Sequence, residues 1–95
     1  MGIKKVYKYI FPLEDEIKLM IYERAEVLCV QVQNKNPCLW ALVDLDNKLV
    51  EKQFCIRGTG HTFKGNEGKY IGTFQSGSDG GSLVFHVFEM LEESN

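Results

Sequence analysis

The chain has 95 residues, enough for one domain with a small hydrophobic core. Its formal net charge of −2 provides no basic field to recruit nucleic acid, so we expect no nucleic-acid partner. No apolar run approaches the ~18 residues that a membrane-spanning helix needs, so we also expect no membrane partner. Three cysteines without paired spacing lie in apolar segments, as reduced thiols do, which favours a cytoplasmic location.

The hydrophobic pattern predicts seven β-strands. In chain order they span residues 4–11, 17–22, 26–33, 38–44, 49–57, 69–75 and 82–89. The runs are short, most of them alternate with a period of two, and turn-forming residues separate them. A helix is the alternative at 14–24 and at 88–93. The first segment fits a period of two better, and the second is too short to be stable alone.

Two turns have strong sequence signals. Asn-Lys-Asn-Pro at 34–37 predicts the turn after the third strand, and the Gly/Ser run at 76–81 predicts a flexible turn before the seventh. Alternation divides the third strand into two faces: Leu28, Val30 and Val32 on one, and Val27, Cys29, Gln31 and Gln33 on the other.

Seven short strands with turns between them are typical of a small antiparallel β-sandwich or barrel. We therefore predict a single all-β domain over residues 1–95, with an ordered core at 4–89 and an acidic tail at 90–95. The segments 38–43 and 83–88 are apolar on both faces, whereas a small antiparallel sheet normally has one solvent-exposed, polar face. Either an opposing sheet with a long loop covers their second face, or another subunit does. The second option predicts a homo-oligomer.

One segment combines more functional groups than any other part of the sequence. It consists of Arg57, Gly58, Thr59, Gly60 and His61. The glycines allow a ligand to approach the backbone closely, and successive amides can bind an anion. Thr59 adds a hydroxyl, and Arg57 adds a guanidinium that can donate two hydrogen bonds. These residues are therefore a candidate phosphate site. No helical pattern follows, which excludes a dinucleotide fold or P-loop, and a structural turn at a strand end is the alternative.

The second histidine, His86, shares a face with Val84 and Phe88, where a histidine is usually a satisfied core residue. If the sixth and seventh strands pair, His86 could approach the loop that contains His61. Two histidines could then cleave a phosphodiester by acid–base catalysis. The sequence lacks the His-x-Thr and His-x-Ser motifs of two-histidine phosphoesterases, which weakens this interpretation.

Trp40, the single tryptophan, is a candidate to stack on a planar ligand, with a core anchor as the alternative. No pair of cysteines or histidines has metal-ligand spacing, and Asp44 and Asp46 lack the rest of a calcium loop. We therefore expect no metal and no cofactor, and we assign no catalytic residue.

Five blocks occur in order along the chain: Gln-Val-Gln at 31–33, Pro-Cys-Leu-Trp-Ala-Leu-Val-Asp at 37–44, Gly-Thr-Gly-His at 58–61, Tyr-Ile-Gly-Thr-Phe-Gln at 70–75 and Val-Phe-His-Val-Phe-Glu at 84–89. Together they resemble a family of small uncharacterised proteins that is found mainly in bacteriophages and prophages and labelled only as a domain of unknown function. The resemblance runs from about residue 4 to residue 89. It implies a phage origin and carries over no catalytic residue.

A phage origin favours stoichiometric binding, either to a host protein or to a nucleotide used as a defence signal. We expect a small phage-encoded protein that sequesters a phosphorylated ligand such as a signalling nucleotide, at a site between subunits. Arg57, Thr59 and His61 would hold the phosphate, and Trp40 or a tyrosine would stack on the base. The alternatives are a protein–protein inhibitor of a host factor, a two-histidine phosphodiesterase and a structural phage component.

Overall fold

A computed structural model describes residues 2–77 and 83–90. Seven strands follow one another: β1 Lys4–Ile10, β2 Glu16–Tyr22, β3 Glu26–Gln33, β4 Asn36–Asp44, β5 Leu49–Gly58, β6 Lys69–Ser76 and β7 Leu83–Glu89. Every strand pair is antiparallel, which confirms the predicted all-β antiparallel fold. β2 replaces the alternative helix at 14–24. Most of the predicted Gly/Ser turn at 76–81 and most of the predicted tail at 90–95 lie outside the described residues.

The strands form two sheets, with the orders β1-β4-β3 and β2-β5-β7-β6. Their inner faces contribute a shared core, because every second side chain of a strand points to the same side. The buried core consists of Phe11, Ile17, Ile21, Val30, Leu39, Ala41, Val43, Phe54, Ile56, Phe74 and Val87. No helix in the described part of the chain is long and apolar enough to cross a membrane.

The turn between β3 and β4 contains only two residues. Gln33 pairs with Asn36, and between them Asn34 and Lys35 have φ values of 52° and 70°. Two successive positive φ values define a type I′ hairpin turn, whose twist matches that of the strands. The predicted four-residue turn at 34–37 is therefore too long, because Asn36 and Pro37 already belong to β4.

A β-bulge divides the faces of β3 differently from the predicted alternation. The pairing register with β4 shifts between Val27 and Cys29. Since a bulge inserts one extra residue, side chains before and after it share a face at an odd spacing. Val27 and Val30 consequently pack toward the core, whereas Leu28 is 48% exposed. The predicted grouping of Leu28 with Val30 is wrong for this reason.

The two strands that are apolar on both faces have different surroundings. In β7, Val87 faces the core, and Phe88 on the outer face contacts Phe63 of the β5–β6 loop (59–68), with ring centroids 5.1 Å apart. In β4, the side chains of Trp40 and Leu42 remain half-buried on the outer face of the three-stranded sheet. A loop thus covers β7, whereas the outer face of β4 stays partly open.

Candidate functional site

The segment Gly58–His61 forms a tight turn at the end of β5. The N–H of His61 donates to the carbonyl of Gly58 (3.0 Å), and Gly60 has a φ of 89°. A positive φ at the third position is typical of a type II turn and explains the glycine there. His61 Nδ1 accepts the N–H of Gly58 (3.3 Å), and the N–H of Thr59 donates to the carbonyl of Val84 (3.0 Å). Three amides of the candidate phosphate site therefore have partners within the chain.

A small cavity beside His61 also bears on its chemistry. The cavity has a volume of about 100 Å³ and is lined by Leu13, Glu14, Asp15, Ile56, Gly58, His61 and Phe85. Two of these residues are acidic, which is unfavourable for an anion bound in this position.

Arg57 lies on the outer face of β5, beneath the β5–β6 loop, and is only 4% exposed. Its Nε donates to Glu67 Oε2 (3.0 Å), and its Nη1 donates to the carbonyls of Asp15 (3.0 Å) and Ile56 (3.1 Å). Nη2 has no hydrogen-bond partner among the residues described. Because Glu67 balances its charge below the surface, the guanidinium of Arg57 does not face a ligand approaching the turn.

Glu67 anchors the β5–β6 loop to the sheet. Its carboxylate accepts the N–H groups of Lys64 (2.6 Å) and Gly65 (2.9 Å) as well as the guanidinium of Arg57. Burial raises the pKa of Glu67, but these backbone and side-chain hydrogen bonds outweigh burial and lower it from 4.5 to about 2. The carboxylate is therefore ionised at neutral pH and holds the loop in place.

The same loop buries the thiol of Cys55. Its Sγ donates to the carbonyl oxygen of Glu67 (3.6 Å), and the side chain is fully buried. Burial is the main cause that raises the pKa of the Cys55 thiol, with the nearby Arg57 charge opposing it. A buried thiol that stays protonated is a poor nucleophile.

Four polar side chains form a hydrogen-bonded row beside this loop, on the outer face of the four-stranded sheet. His86 of β7 is in register with Arg57 of β5 and Thr73 of β6. Thr59 Oγ1 lies 2.9 Å from His86 Nε2, and Thr73 Oγ1 lies 2.9 Å from His86 Nδ1. Tyr70 Oη lies 2.6 Å from Thr73 Oγ1. We refer to Thr59, Tyr70, Thr73 and His86 as the His86 cluster.

The hydroxyl groups allow the His86 cluster to accept more than one arrangement of protons. Each hydroxyl can donate and accept, whereas a neutral imidazole donates from one nitrogen and accepts at the other. Each group in the row can therefore donate its hydrogen bond in the direction from Tyr70 to Thr59, or each can donate in the reverse direction. In the first arrangement Thr59 Oγ1 donates to the carbonyl of Val84, 3.4 Å away. A protonated imidazole also fits, because both threonine oxygens can then accept from it.

Aromatic rings border the His86 cluster. Phe88 contacts Tyr70 with ring centroids 5.7 Å apart, and it also contacts Phe63 from the β5–β6 loop. Tyr70 and Phe63 are both exposed, so their rings meet solvent next to the polar row. This combination can offer hydrogen bonds and a stacking surface to one ligand.

The structure brings together only part of the residue set predicted from the sequence. β6 and β7 do pair, and His86 contacts the β5–β6 loop through Thr59. Between the described side chains of His61 and His86 there is no hydrogen bond. Trp40 lies on the outer face of the other sheet, so the thickness of the sandwich separates it from Thr59.

Sequence reasoning did not select Thr73, Tyr70 or Glu67 as site residues. Thr73 had a usable signal, since pairing β6 with β7 places it opposite His86. Glu67 had none, because its position depends on how the loop folds back over β5. Within residues 2–77 and 83–90, no group of three or more His, Cys, Asp or Glu side chains could hold a metal ion.

A family model described as a domain of unknown function (DUF7352) matches residues 3–95, a range that includes the whole His86 cluster. The chain belongs to this family. The match confirms that the chain belongs to an uncharacterised family, and the description names neither an activity nor a source for DUF7352. No curated protein and no solved structure matches the chain.

Proposed function

We propose that the protein binds a small phosphorylated ligand on the outer face of the four-stranded sheet, at the His86 cluster. The observation that carries the proposal is the position of the His86 imidazole, 2.9 Å from a threonine hydroxyl on each side. The proposal keeps Thr59 from the predicted phosphate site and replaces Arg57, Gly58, Gly60 and His61 with partners from β6 and β7.

The chemistry of the row favours an anion when His86 is protonated. Both ring N–H groups then donate to the threonine oxygens, which leaves each threonine proton for another acceptor. The hydroxyl of Thr73 then donates its hydrogen bond to Tyr70 Oη, 2.6 Å away. Tyr70, at one end of the row, consequently has its own proton to offer to a phosphate, and Thr59, at the other end, can turn its proton from the carbonyl of Val84 (3.4 Å) toward a phosphate. The imidazolium charge strengthens these charge-assisted bonds.

The neighbouring rings supply the second half of the site. Phe63 and Tyr70 are exposed on the side of the polar row where they contact Phe88. A planar base stacked on an aromatic side chain gains ~1–3 kcal/mol. A nucleotide combines both requirements, a phosphate and a flat ring, and is the ligand class we propose. Tyr70 takes the stacking role for which Trp40 or a tyrosine was predicted.

Sequestration without turnover is the role that fits this arrangement. Acid–base cleavage of a phosphodiester needs two positioned groups, and the cluster holds one histidine flanked by hydroxyls. Under this proposal a phage-encoded chain of the family would remove a defence-signalling nucleotide from solution. The phage origin rests on the resemblance of the sequence blocks.

Calorimetric titration with a panel of cyclic and linear nucleotides tests the proposal. We expect heat of binding with at least one nucleotide, and a loss of affinity of about 10-fold or more in His86→Gln, which cannot carry the charge. His61→Ala is the matched comparison, because it removes the other histidine from the turn beside Thr59. The affinity of this variant should stay within ~2-fold of the wild-type value.

Three results would contradict the proposal. If no nucleotide gives heat of binding, the proposed nucleotide-binding function is contradicted. A loss of nucleotide affinity in His61→Ala, together with normal affinity in His86→Gln, would show that the ligand binds at the Gly58–His61 turn instead. Recovery of a hydrolysed nucleotide from the denatured complex, seen by ion-exchange chromatography, replaces sequestration with a phosphodiesterase activity.

A further inference from the structure

The outer face of the three-stranded sheet presents apolar side chains to solvent. Val6 is 54% exposed and Ile10 is 57% exposed on β1, and Trp40 and Leu42 lie half-buried beside them on β4. Lys8 Nζ donates to Gln33 Oε1 (2.8 Å), a bond that spans β4 on this face. We call this surface the β1–β4–β3 face. A contiguous apolar surface of this kind is typical of an interaction site.

The charges on the β1–β4–β3 face are distributed unevenly between its two edges. β1 carries Lys4 and Lys8 on this face, whereas β3 begins with Glu26 on the opposite edge. Leu42 of β4 pairs with Val6 on one side and with Glu26 on the other, so Val6 and Glu26 lie at the same level along the strands. Lys4 lies two residues further along β1, on the opposite edge from Glu26. One edge of the face is therefore basic and the other is acidic.

We propose that a second copy of this chain covers the β1–β4–β3 face in a twofold dimer whose axis runs parallel to β4. This axis places β1 of each copy over β3 of its partner. Glu26 of one protomer then lies level with Val6 of the other, and Lys4 of that β1 lies one residue pair further along, within reach of the carboxylate through its long side chain. The Lys4–Glu26 pair occurs twice. A twofold axis across the strands would instead place β1 over β1 and bring the lysines of both copies together.

The two kinds of contact have different roles in this dimer. Removal of Val6, Ile10, Trp40 and Leu42 from water supplies the favourable free energy. The Lys4–Glu26 pairs lie at the rim, where ion pairs contribute little affinity but select the orientation of the partners. Lys8 lies between Val6 and Ile10 on β1, so its bond to Gln33 interrupts the apolar contact between these two residues.

Sedimentation velocity on the full chain tests for the dimer. We expect a concentration-dependent dimer for the wild-type chain and a monomer for Val6→Asp at the same concentrations. Met20→Asp is the matched control, because Met20 is 55% exposed but lies on β2 of the other sheet, and this variant should still dimerise. Circular dichroism establishes that both variants are folded. A monomeric wild-type chain, or a Val6→Asp variant that still dimerises, overturns the proposal.

A charge exchange tests the orientation of the two copies. Lys4→Glu alone and Glu26→Lys alone each turn both rim pairs into like-charge contacts, and should raise the dimer dissociation constant about 10-fold or more. A mixture of the two variants restores both attractive pairs and should recover the wild-type constant. If the mixture associates no better than either variant alone, the axis parallel to β4 is wrong. If the wild-type chain is monomeric but elutes with a protein of another sequence, the occupant is a different partner and the dimer is excluded.

Discussion

The buried pair of Arg57 and Glu67 joins the β5–β6 loop to the sheet beneath it. Both side chains are only 4% exposed, and their charges balance each other beneath the β5–β6 loop. Removing one partner of a buried pair is strongly destabilising, because it leaves the other charge without compensation. The pair therefore determines whether the loop stays on the sheet.

We expect Glu67→Gln to lower the melting temperature by on the order of 10 °C at neutral pH. The new amide can present only one oxygen, so its NH₂ group meets the N–H donors of Lys64, Gly65 or Arg57. Glu51→Gln is the control, since it breaks the exposed 4.0 Å pair with Lys18 and should change little. Differential scanning calorimetry makes the comparison, and equal effects of the two substitutions would contradict the role of Glu67.

The pKa of Glu67 adds a pH dependence to the same substitution. The unfolded chain takes up this proton near pH 4.5, whereas the folded chain takes it up only near pH 2. Between these values the unfolded state binds more protons, so the contribution of Glu67, complete above pH 4.5, is lost as the pH falls toward 2. The decline in melting temperature over this range should be shallower in Glu67→Gln than in the wild-type chain.

At the scale of one element, the turn between β3 and β4 contains a residue whose conformation does not suit it. Lys35 has a φ of 70°, in the left-handed region that disfavours side chains with a Cβ. Asn-Gly is the preferred sequence for a type I′ turn, and the chain has Asn-Lys. The turn is thus held by the pairing of its strands more than by its own sequence.

We expect Lys35→Gly to stabilise the protein by about 0.5 kcal/mol. Relief of the positive φ is partly offset by the greater freedom of glycine in the unfolded chain. The melting temperature should rise by about 3 °C in a thermal scan at fixed protein concentration. Lys48→Gly, in the turn before β5 and without a positive φ, should have the opposite effect. A lower melting temperature for Lys35→Gly would refute this account.

The period of two made most strands predictable, because it follows from alternate burial alone. β3 keeps its predicted bounds and β5 extends by only one residue. The division of β3 into two faces was not predictable from the sequence. A bulge depends on how two strands pair, and the alternation of apolar residues in one strand does not reveal it. The length of the turn before β4 was missed because Asn36 and Pro37 are common turn residues that here belong to a strand.

At the scale of the whole molecule, the two sheets come closest where β6 passes β3. A Cβ built on Gly72 would lie 3.4 Å from Cβ of Val30 and 3.5 Å from its Cγ2. On the other side of the sandwich, the rings of Tyr7 and Tyr22 join β1 to β2 with centroids 6.2 Å apart. The small residue at 72 therefore sets how near the sheets can pack at this side.

We expect Gly72→Val to destabilise the protein by about 1–3 kcal/mol, because its methyl groups would overlap with Val30 and press the sheets apart. Gly72→Ala should have a smaller effect, since Val30 needs to move only slightly. Gln75→Val places the same side chain at an exposed position of β6 and should be nearly neutral. Urea unfolding measures all three. A neutral Gly72→Val would show that the sheets are not in tight contact here.

The candidate site was less predictable than the fold, because it exists only at the scale of the whole molecule. Thr59, Thr73 and His86 come from three separate segments that meet through strand order. Arg57 was predicted as a ligand contact from its neighbours in sequence. Its actual partner, Glu67, lies ten residues away on a loop that folds back over β5. No local pattern distinguishes a cation that faces a ligand from one that holds a loop.

The cover over Cys55 has a practical consequence for experiments on motion. Cys55 lies beneath the β5–β6 loop, Cys38 is buried on the face spanned by the Lys8–Gln33 bond, and Cys29 is only half-buried. The three thiols therefore differ in which part of the structure must open before a reagent can reach them. Alkylation followed by mass spectrometry would therefore measure two opening rates in the unlabelled chain. The rate at Cys55 reports opening of the β5–β6 loop, and the rate at Cys38 reports opening of the three-stranded sheet.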